Sequence, residues 1–239
     1  MKDMRDFIHD AEEVGQLRRV KAEVDWNLEL SHIAKLNEEK SGPALLFENV
    51  KGYTSPVITS VCTTTQRLAL IMGAPLESSL VDLMRYWVEK GKTLVPPKFV
   101  DRSQAPCKEN IMKGDDIDLF KFPAPHYYPR DGGRFMGTAH FFITKDPDSG
   151  WVNLGTYRAQ LLARDKIGTQ FIKGKHSDIM LKKYAALKKP MPVASIVGCD
   201  PLLFLTGAAR LSAFLSEYDF AGAVRGGPIE VVRGETVDL

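Results

Sequence analysis

Three donor side chains of different chemistry punctuate the second half of this 239-residue chain. They are the amide of Asn153 in 151-WVNLGTYRAQ-160, the imidazole of His176 in 173-KGKHS-177 and the carboxylate of Glu217 in 216-SEYDF-220. An amide oxygen, an imidazole nitrogen and one carboxylate form a mixed, weakly charged set. It suits Mn²⁺ or Mg²⁺ when further oxygens complete the shell, and suits a structural zinc poorly. A phosphate could supply those oxygens. Lys173, Gly174 and Lys175 lead into a predicted helix, whose free amides and positive dipole end favour an anion. Arg158 adds a planar cationic fork with no obvious acid beside it in sequence.

Residue type alone leaves a second reading beside each of these. His176 could be a solvated or capping histidine, Asn153 could bond a neighbouring backbone group, Glu217 could be an exposed acid, and Arg158 could pair or snorkel at a surface. His126 and His140 read as packing or turn residues, and Phe120, Phe122, Tyr127 and Tyr128 as a satellite core under a loop. Lys182, Lys183, Lys188 and Lys189 read as the solvated face of a helix. The glycines of 222-GAVRGG-227 lack the preceding strand and following helix of a nucleotide-binding motif.

The elements that must position these groups follow from hydrophobic spacing. Helices are predicted over 3–14, 28–39, 64–73 and 76–91, and strands over 44–50 and 56–62, an alternation that argues for a small α/β unit. From Pro96 to Gly133 the chain is rich in Pro, Gly and Asp, and 122-FPAPHYYPRDGG-133 cannot form a continuous regular element. A domain boundary is placed at about residue 105. Beyond it, strands are expected over 136–145, 151–163, 192–198 and 228–234. One helix is expected over 177–189, with Ser177 as N-cap and Ile179, Met180, Tyr184 and Leu187 as its apolar stripe. Strands joined by turns such as 145-KDPDSG-150 suggest a largely antiparallel sheet or barrel.

Composition sets outer bounds. Lys and Arg number 32 against 30 Asp and Glu, so no large net field points to nucleic acid. The longest apolar runs, such as 201-PLLFLTGAA-209, are far shorter than a membrane span, and the charged N-terminus is unlike a signal peptide, so a cytoplasmic protein without a membrane partner is expected. Cys62, Cys107 and Cys199 have no metal-binding or disulfide spacing and are expected to be reduced.

In order and spacing, the segments 122-FPAPHYYPRDGGRFMGT-138, 146-DPDSGWVNLGTYR-158, 173-KGKH-176 and 216-SEYDFAGAVRG-226 resemble the UbiD family of prenylated-FMN-dependent reversible decarboxylases, as does the opening 3-DMRDFIHDAEEVGQLRRV-20. The resemblance covers essentially the whole chain. It implies an α+β protein, with a small N-terminal α/β domain (1–105) followed by a split β-barrel flavin-binding domain (106–239) that is incomplete at its C-terminal end. It also implies that Asn153, His176 and Glu217 bind Mn²⁺ (or Mg²⁺) at the phosphate of prenylated FMN, with K⁺ nearby. Gly155, Thr156, Tyr157 and Arg158 would lie along the cofactor with Lys175, and an ungapped spacing puts Gly207, Ala208 and Ala209 beside it. Arg158 matches the family's catalytic arginine, which positions the substrate carboxylate.

The activity so implied is non-oxidative decarboxylation of an aromatic (hydroxybenzoate-type) or α,β-unsaturated acid. The cofactor takes up the electrons left by CO₂, and a protonated glutamate supplies the replacing proton. Its implied partners are a flavin prenyltransferase as cofactor supplier and, for the full-length protein, further copies in a homo-oligomer. Family members are about twice as long and carry a Glu-Gly-Pro-Phe-Gly-Glu stretch that this sequence does not contain. The expectation is therefore an inactive fragment with an unpaired strand edge at 228-PIEVV-232. A non-catalytic binding or assembly subunit is the alternative, and an ordinary split-barrel flavin oxidoreductase is disfavoured because it needs no metal triad.

Overall fold

The computed structural model describes residues 1, 3–136 and 139–239. In chain order the helices are α1 (Met4–Glu13), α2 (Glu29–Glu39), α3 (Thr65–Met72), α4 (Leu80–Lys90), α5 (His176–Ala186), α6 (Pro201–Ala208) and α7 (Glu217–Arg225). The strands are β1 (Leu17–Val20), β2 (Ala44–Phe47), β3 (Val57–Thr59), β4 (Lys98–Phe99), β5 (Phe141–Lys145), β6 (Val152–Gly155), β7 (Ala159–Ala163), β8 (Lys166–Thr169), β9 (Val193–Ile196) and β10 (Glu230–Val231). The expected strand over 136–145 begins in part at residues 137 and 138, which lie outside the described residues.

Two compact units are formed, each from three separated stretches. One comprises Met1–Leu83, Gly114–Thr138 and Arg158–Thr169; the other comprises Met84–Lys113, Ala139–Tyr157 and Gln170–Leu239. In the first, β1 and β2 pair in parallel and β3 joins β2 antiparallel. All four residues of β2 are buried. The helix starts follow local capping: Asp3 accepts from the amides of Arg5 and Asp6 at α1, and Thr64 accepts from Arg67 at α3. Gly73, with φ +70°, closes α3 in the left-handed conformation that glycine adopts without a Cβ clash. The fully buried Arg67 guanidinium is held by neutral acceptors, namely Gln16 Oε1, the Gly42 carbonyl and Thr63 Oγ1.

The second unit is built on the antiparallel sheet β6–β5–β9. The first four residues of β5 are all buried, as expected of a central strand covered on both faces. Helices α5 and α6 pack against β5 and β6, and α7 packs against β6 and α6. The β5–β6 turn is organised by Asp146, which is buried at 4% exposure. Its Oδ1 accepts the amides of Asp148 and Ser149, and its Oδ2 accepts Lys183 of α5 at 2.6 Å.

Several expectations are corrected. The run 151–163 is not one strand but β6 and β7, which fall in different units. Residues 201–208 and 217–225 are helices, not an apolar run and a loose glycine segment. Strand β10 pairs in parallel with β4 on one side, through Glu230–Lys98 and Val231–Phe99, and has no partner strand on the other among the described residues. Helix α5 starts one residue earlier than expected, with Lys175 as N-cap, and its stripe is narrower: Met180 is buried, whereas Ile179 and Leu187 are exposed. Lys183 is not simply solvated, since it pairs with Asp146 and Asp148. The aromatic group does not form a satellite core, because Phe120, Phe122 and Tyr128 are exposed. Among the described residues the strands form separate two- and three-stranded sheets and no closed barrel, and no helix is long and apolar enough to cross a membrane.

Candidate functional site

Strand β6 carries the site. Asn153, Leu154 and Gly155 are all buried, and Asn153 is 2% exposed. Helices α5 and α7 begin with His176 and Glu217, and these two residues meet consecutive positions of β6. His176 Nδ1 lies 3.0 Å from Asn153 Oδ1, and Glu217 Oε2 accepts the Leu154 amide at 2.9 Å. Two helix N-termini, each with amides free of intrahelical partners, are thereby brought to one strand.

The other end of the Asn153 amide is fixed as well. Its Nδ2 donates to Ser177 Oγ at 3.2 Å and, more weakly, to Thr144 Oγ1 at 3.4 Å, and those two hydroxyls are 3.1 Å apart. With Nδ2 committed to hydroxyls, Oδ1 is the atom turned to His176. Ser177, expected as a helix cap, instead holds the amide from inside the first turn of α5. Thr144 sits directly across the ladder from Asn153.

The electrostatics of these side chains follow from their burial. Burial pushes the Glu217 carboxyl up to about 7, against the opposing pull of the backbone amides of Leu154 and of Glu217 itself. Burial, then the Lys175 charge, lowers His176 below its ordinary value, favouring the neutral imidazole that can donate a lone pair. Burial also raises the Tyr157 phenol, in part offset by hydrogen bonding to Ser177.

The spacing of two of the donors is that expected around a hard divalent cation. Adjacent ligands of an octahedral ion with bonds of ~2.1 Å stand about 3.0 Å apart, and Asn153 Oδ1 and His176 Nδ1 are separated by 3.0 Å. Among the described residues no cluster of three or more His, Cys, Asp or Glu side chains could hold a metal; here the third donor is an amide oxygen. The phosphate expectation at 173–177 is qualified by Asp178, whose Oδ2 already accepts the Gly174 amide at 2.8 Å and Lys182 at 2.7 Å. Lys173 and Lys175 remain exposed.

The remaining candidates are placed as follows. Gly155 ends β6, and a Cβ there would lie 2.5 Å from the Tyr157 ring, so only glycine admits that aromatic. Tyr157 packs edge-on against Phe171. Gly207 lies in α6 with Ala208, and Ala209 is its C-cap; a Cβ on Gly207 would make ordinary 3.6 Å contacts with Leu154 and Phe141. Thr156 follows β6 and is half-buried. Arg158 belongs to the other unit, is exposed, and makes no hydrogen bond or ion pair among the described residues. His126 hydrogen-bonds Asn27, and His140 is buried edge-on against Phe142. Residue type alone does not single out Thr144 or Trp151, and it points to Ser177 only as a helix cap. Thr144 had a usable signal, because the hairpin turn at 145–150 sets it opposite Asn153.

Comparison with known proteins agrees with this architecture. Residues 98–239 match the 3-octaprenyl-4-hydroxybenzoate carboxy-lyase Rift-related domain (UbiD), and residues 8–87 match the corresponding N-terminal domain. The chain is 36% identical over 249 residues to a phenolic acid decarboxylase of Sedimentibacter hydroxybenzoicus, covering 99% of this chain and 51% of that protein. It is similar to the closed form of the vanillic acid decarboxylase of the same organism, with a TM-score of 0.95 at 33% identity over 100% of this chain and 52% of that one. It is also similar to an evolved dimeric form of the UbiD-class enzyme HmfF from Pelotomaculum thermopropionicum in complex with prFMN, with a TM-score of 0.91 at 30% identity over 100% and 54%. The chain spans about half the length of these relatives. Matched over more than half its residues by the carboxy-lyase domain, this chain belongs to the UbiD family of decarboxylases.

Proposed function

We propose that this polypeptide forms the metal- and flavin-phosphate-binding part of an enzyme that reversibly decarboxylates an aromatic, hydroxybenzoate-type or α,β-unsaturated acid. The observation that carries this reading is the meeting of His176 and Glu217, each the first residue of a helix, with Asn153 and Leu154 of β6. Asn153, His176 and Glu217 would hold Mn²⁺ or Mg²⁺, and the site would take K⁺ and the phosphate of prenylated FMN beside it. When bound, that cofactor supplies the electron sink that a departing CO₂ requires.

The chain's own residues do the rest. Ser177 and Thr144 orient the Asn153 oxygen toward the cation, and Gly155 lets Tyr157 close over the end of β6. Gly207, Ala208 and Ala209 offer a surface without bulk to the cofactor, and Lys175 offers it a positive charge. Arg158 holds the substrate carboxylate by a charge-assisted, two-pronged contact. On this reading 1–105 is the N-terminal α/β domain and 106–239 belongs to a split-barrel flavin-binding domain. A flavin prenyltransferase supplies the cofactor, and the full-length protein is a cytoplasmic homo-oligomer.

A second reading is that the chain lends this surface to an assembly in which other chains supply further catalytic groups. The 239-residue chain alone then releases no CO₂ from any aromatic acid. Co-production with a flavin prenyltransferase, followed by metal analysis and ultraviolet-visible spectroscopy, tests the site. A colourless, Mn²⁺-free protein would refute it.

A further inference from the structure

We infer that Trp151 is a positioning residue that aligns His176 and ties it to the segment leading into Glu217; this rests on the metal-site reading above. Trp151 immediately precedes β6, and its indole stands edge-on to the His176 imidazole, with centroids 4.8 Å apart and planes at 71°. The imidazole is thus constrained twice, by Asn153 Oδ1 at Nδ1 and by the indole against its ring. The first contact alone would leave the ring free to tilt about the hydrogen bond. An edge-on aromatic neighbour removes that freedom.

The same indole reaches the other ligand's approach. Its Nε1–H donates to the carbonyl of Leu215, two residues before Glu217, over a long 3.4 Å. Phe214, next along, packs on the indole at a centroid distance of 5.4 Å. Phe214 has φ +68° and is 71% exposed, a conformation that a bulky residue adopts at a cost and without the reward of burial. Its ring contact with Trp151 is what the strained turn delivers. One side chain therefore links the start of β6, the first residue of α5 and the turn that launches α7. Ligand orientation by outer groups of this kind typically changes metal affinity by about 10–100-fold.

The test uses the whole 239-residue chain with Mn²⁺ alone, followed by loss of the free-ion electron paramagnetic resonance signal, and proton NMR of His176 in the metal-free protein. Trp151→Leu should weaken Mn²⁺ binding on the order of 10-fold or more and abolish the ring-current shift of the His176 protons. Trp151→Phe, which keeps a ring edge but loses the N–H, should retain most of both. Thermal unfolding of each variant separates a lost contact from a lost fold, and the Phe variant carries the decision if the Leu variant does not fold. Unchanged His176 shifts in the Leu variant, or a Phe variant that loses both the ring-current shift and the Mn²⁺ affinity, would overturn the inference. If wild-type chain binds no Mn²⁺, the metal-site reading fails, and the NMR shifts alone decide whether Trp151 positions His176.

Discussion

His176 Nδ1 and Asn153 Oδ1 lie 3.0 Å apart, joining the first residue of α5 to the second residue of β6. That separation serves equally as a hydrogen bond and as the edge between neighbouring ligands of one ion. Replacing either partner should therefore hurt metal retention more than it hurts folding. Asn153→Ala and His176→Ala are each expected to lower Mn²⁺ affinity at least ~10-fold, measured by titration of the free ion. Asn153→Ala should also cost roughly 1–2 kcal/mol of stability, because it removes the buried amide's hydrogen bonds to Ser177 and Thr144.

Glu217 should show the opposite trade. Its carboxyl is raised to about 7 in the metal-free chain, so its contribution to stability is fully present below the ordinary value of 4.5 and is lost as pH rises through about 7. Glu217→Gln keeps an acceptor for the Leu154 amide and carries no charge. In the metal-free chain at pH 8 it is expected to be more stable by roughly 1–3 kcal/mol in urea unfolding, with no change at pH 4. It should bind Mn²⁺ poorly.

Asp146 gives a pH dependence of the other sign. Although burial opposes ionisation, the Lys183 ammonium and the amides of Ser149 and Asp148 hold its carboxyl down at about 2. Its stabilisation is present above 3.8 and is lost as pH falls through about 2. Asp146→Asn should cost roughly 1–2 kcal/mol at pH 7 and close to nothing at pH 2, read by denaturant unfolding at both values.

Two glycines beside the site should respond differently to alanine. At Gly155 the new Cβ would meet the Tyr157 ring at 2.5 Å, so Gly155→Ala is expected to cost about 1–3 kcal/mol or to displace that ring. At Gly207, inside α6, the new methyl finds only 3.6 Å contacts, and Gly207→Ala should be neutral or up to ~1 kcal/mol stabilising. A Gly207→Ala protein that is stable yet loses flavin would place the cofactor against this face of α6.

Arg158 is exposed and makes no hydrogen bond or ion pair among the described residues, so Arg158→Ala should alter stability by no more than about 0.5 kcal/mol. If its role is to hold the substrate carboxylate, the same change in a preparation that releases CO₂ should reduce that release by about two orders of magnitude. Arg158→Lys should recover little, because one ammonium cannot make the two-pronged contact.

Local pattern was enough for much of this molecule. The 3.6-residue spacing and capping residues of α1 and α3, the β5–β6 turn around Asp146 and the donor types of Asn153, His176 and Glu217 can all be read from the chain. Other features depend on partners distant in sequence. The short helix α6, apolar on most of its faces, carries little periodic signal, and β10 exists because Lys98 and Phe99 are there to pair with it. Register put Thr144 opposite Asn153, and packing brought His176 and Glu217 to neighbouring residues of one strand, 23 residues from Asn153 in one case and 63 from Leu154 in the other. Residue identity determined which atoms could donate to a cation. Which of them share a space was decided by the sheet and the helices laid on it, because burial and hydrogen bonding reward contacts without regard to how far apart in the chain their owners lie.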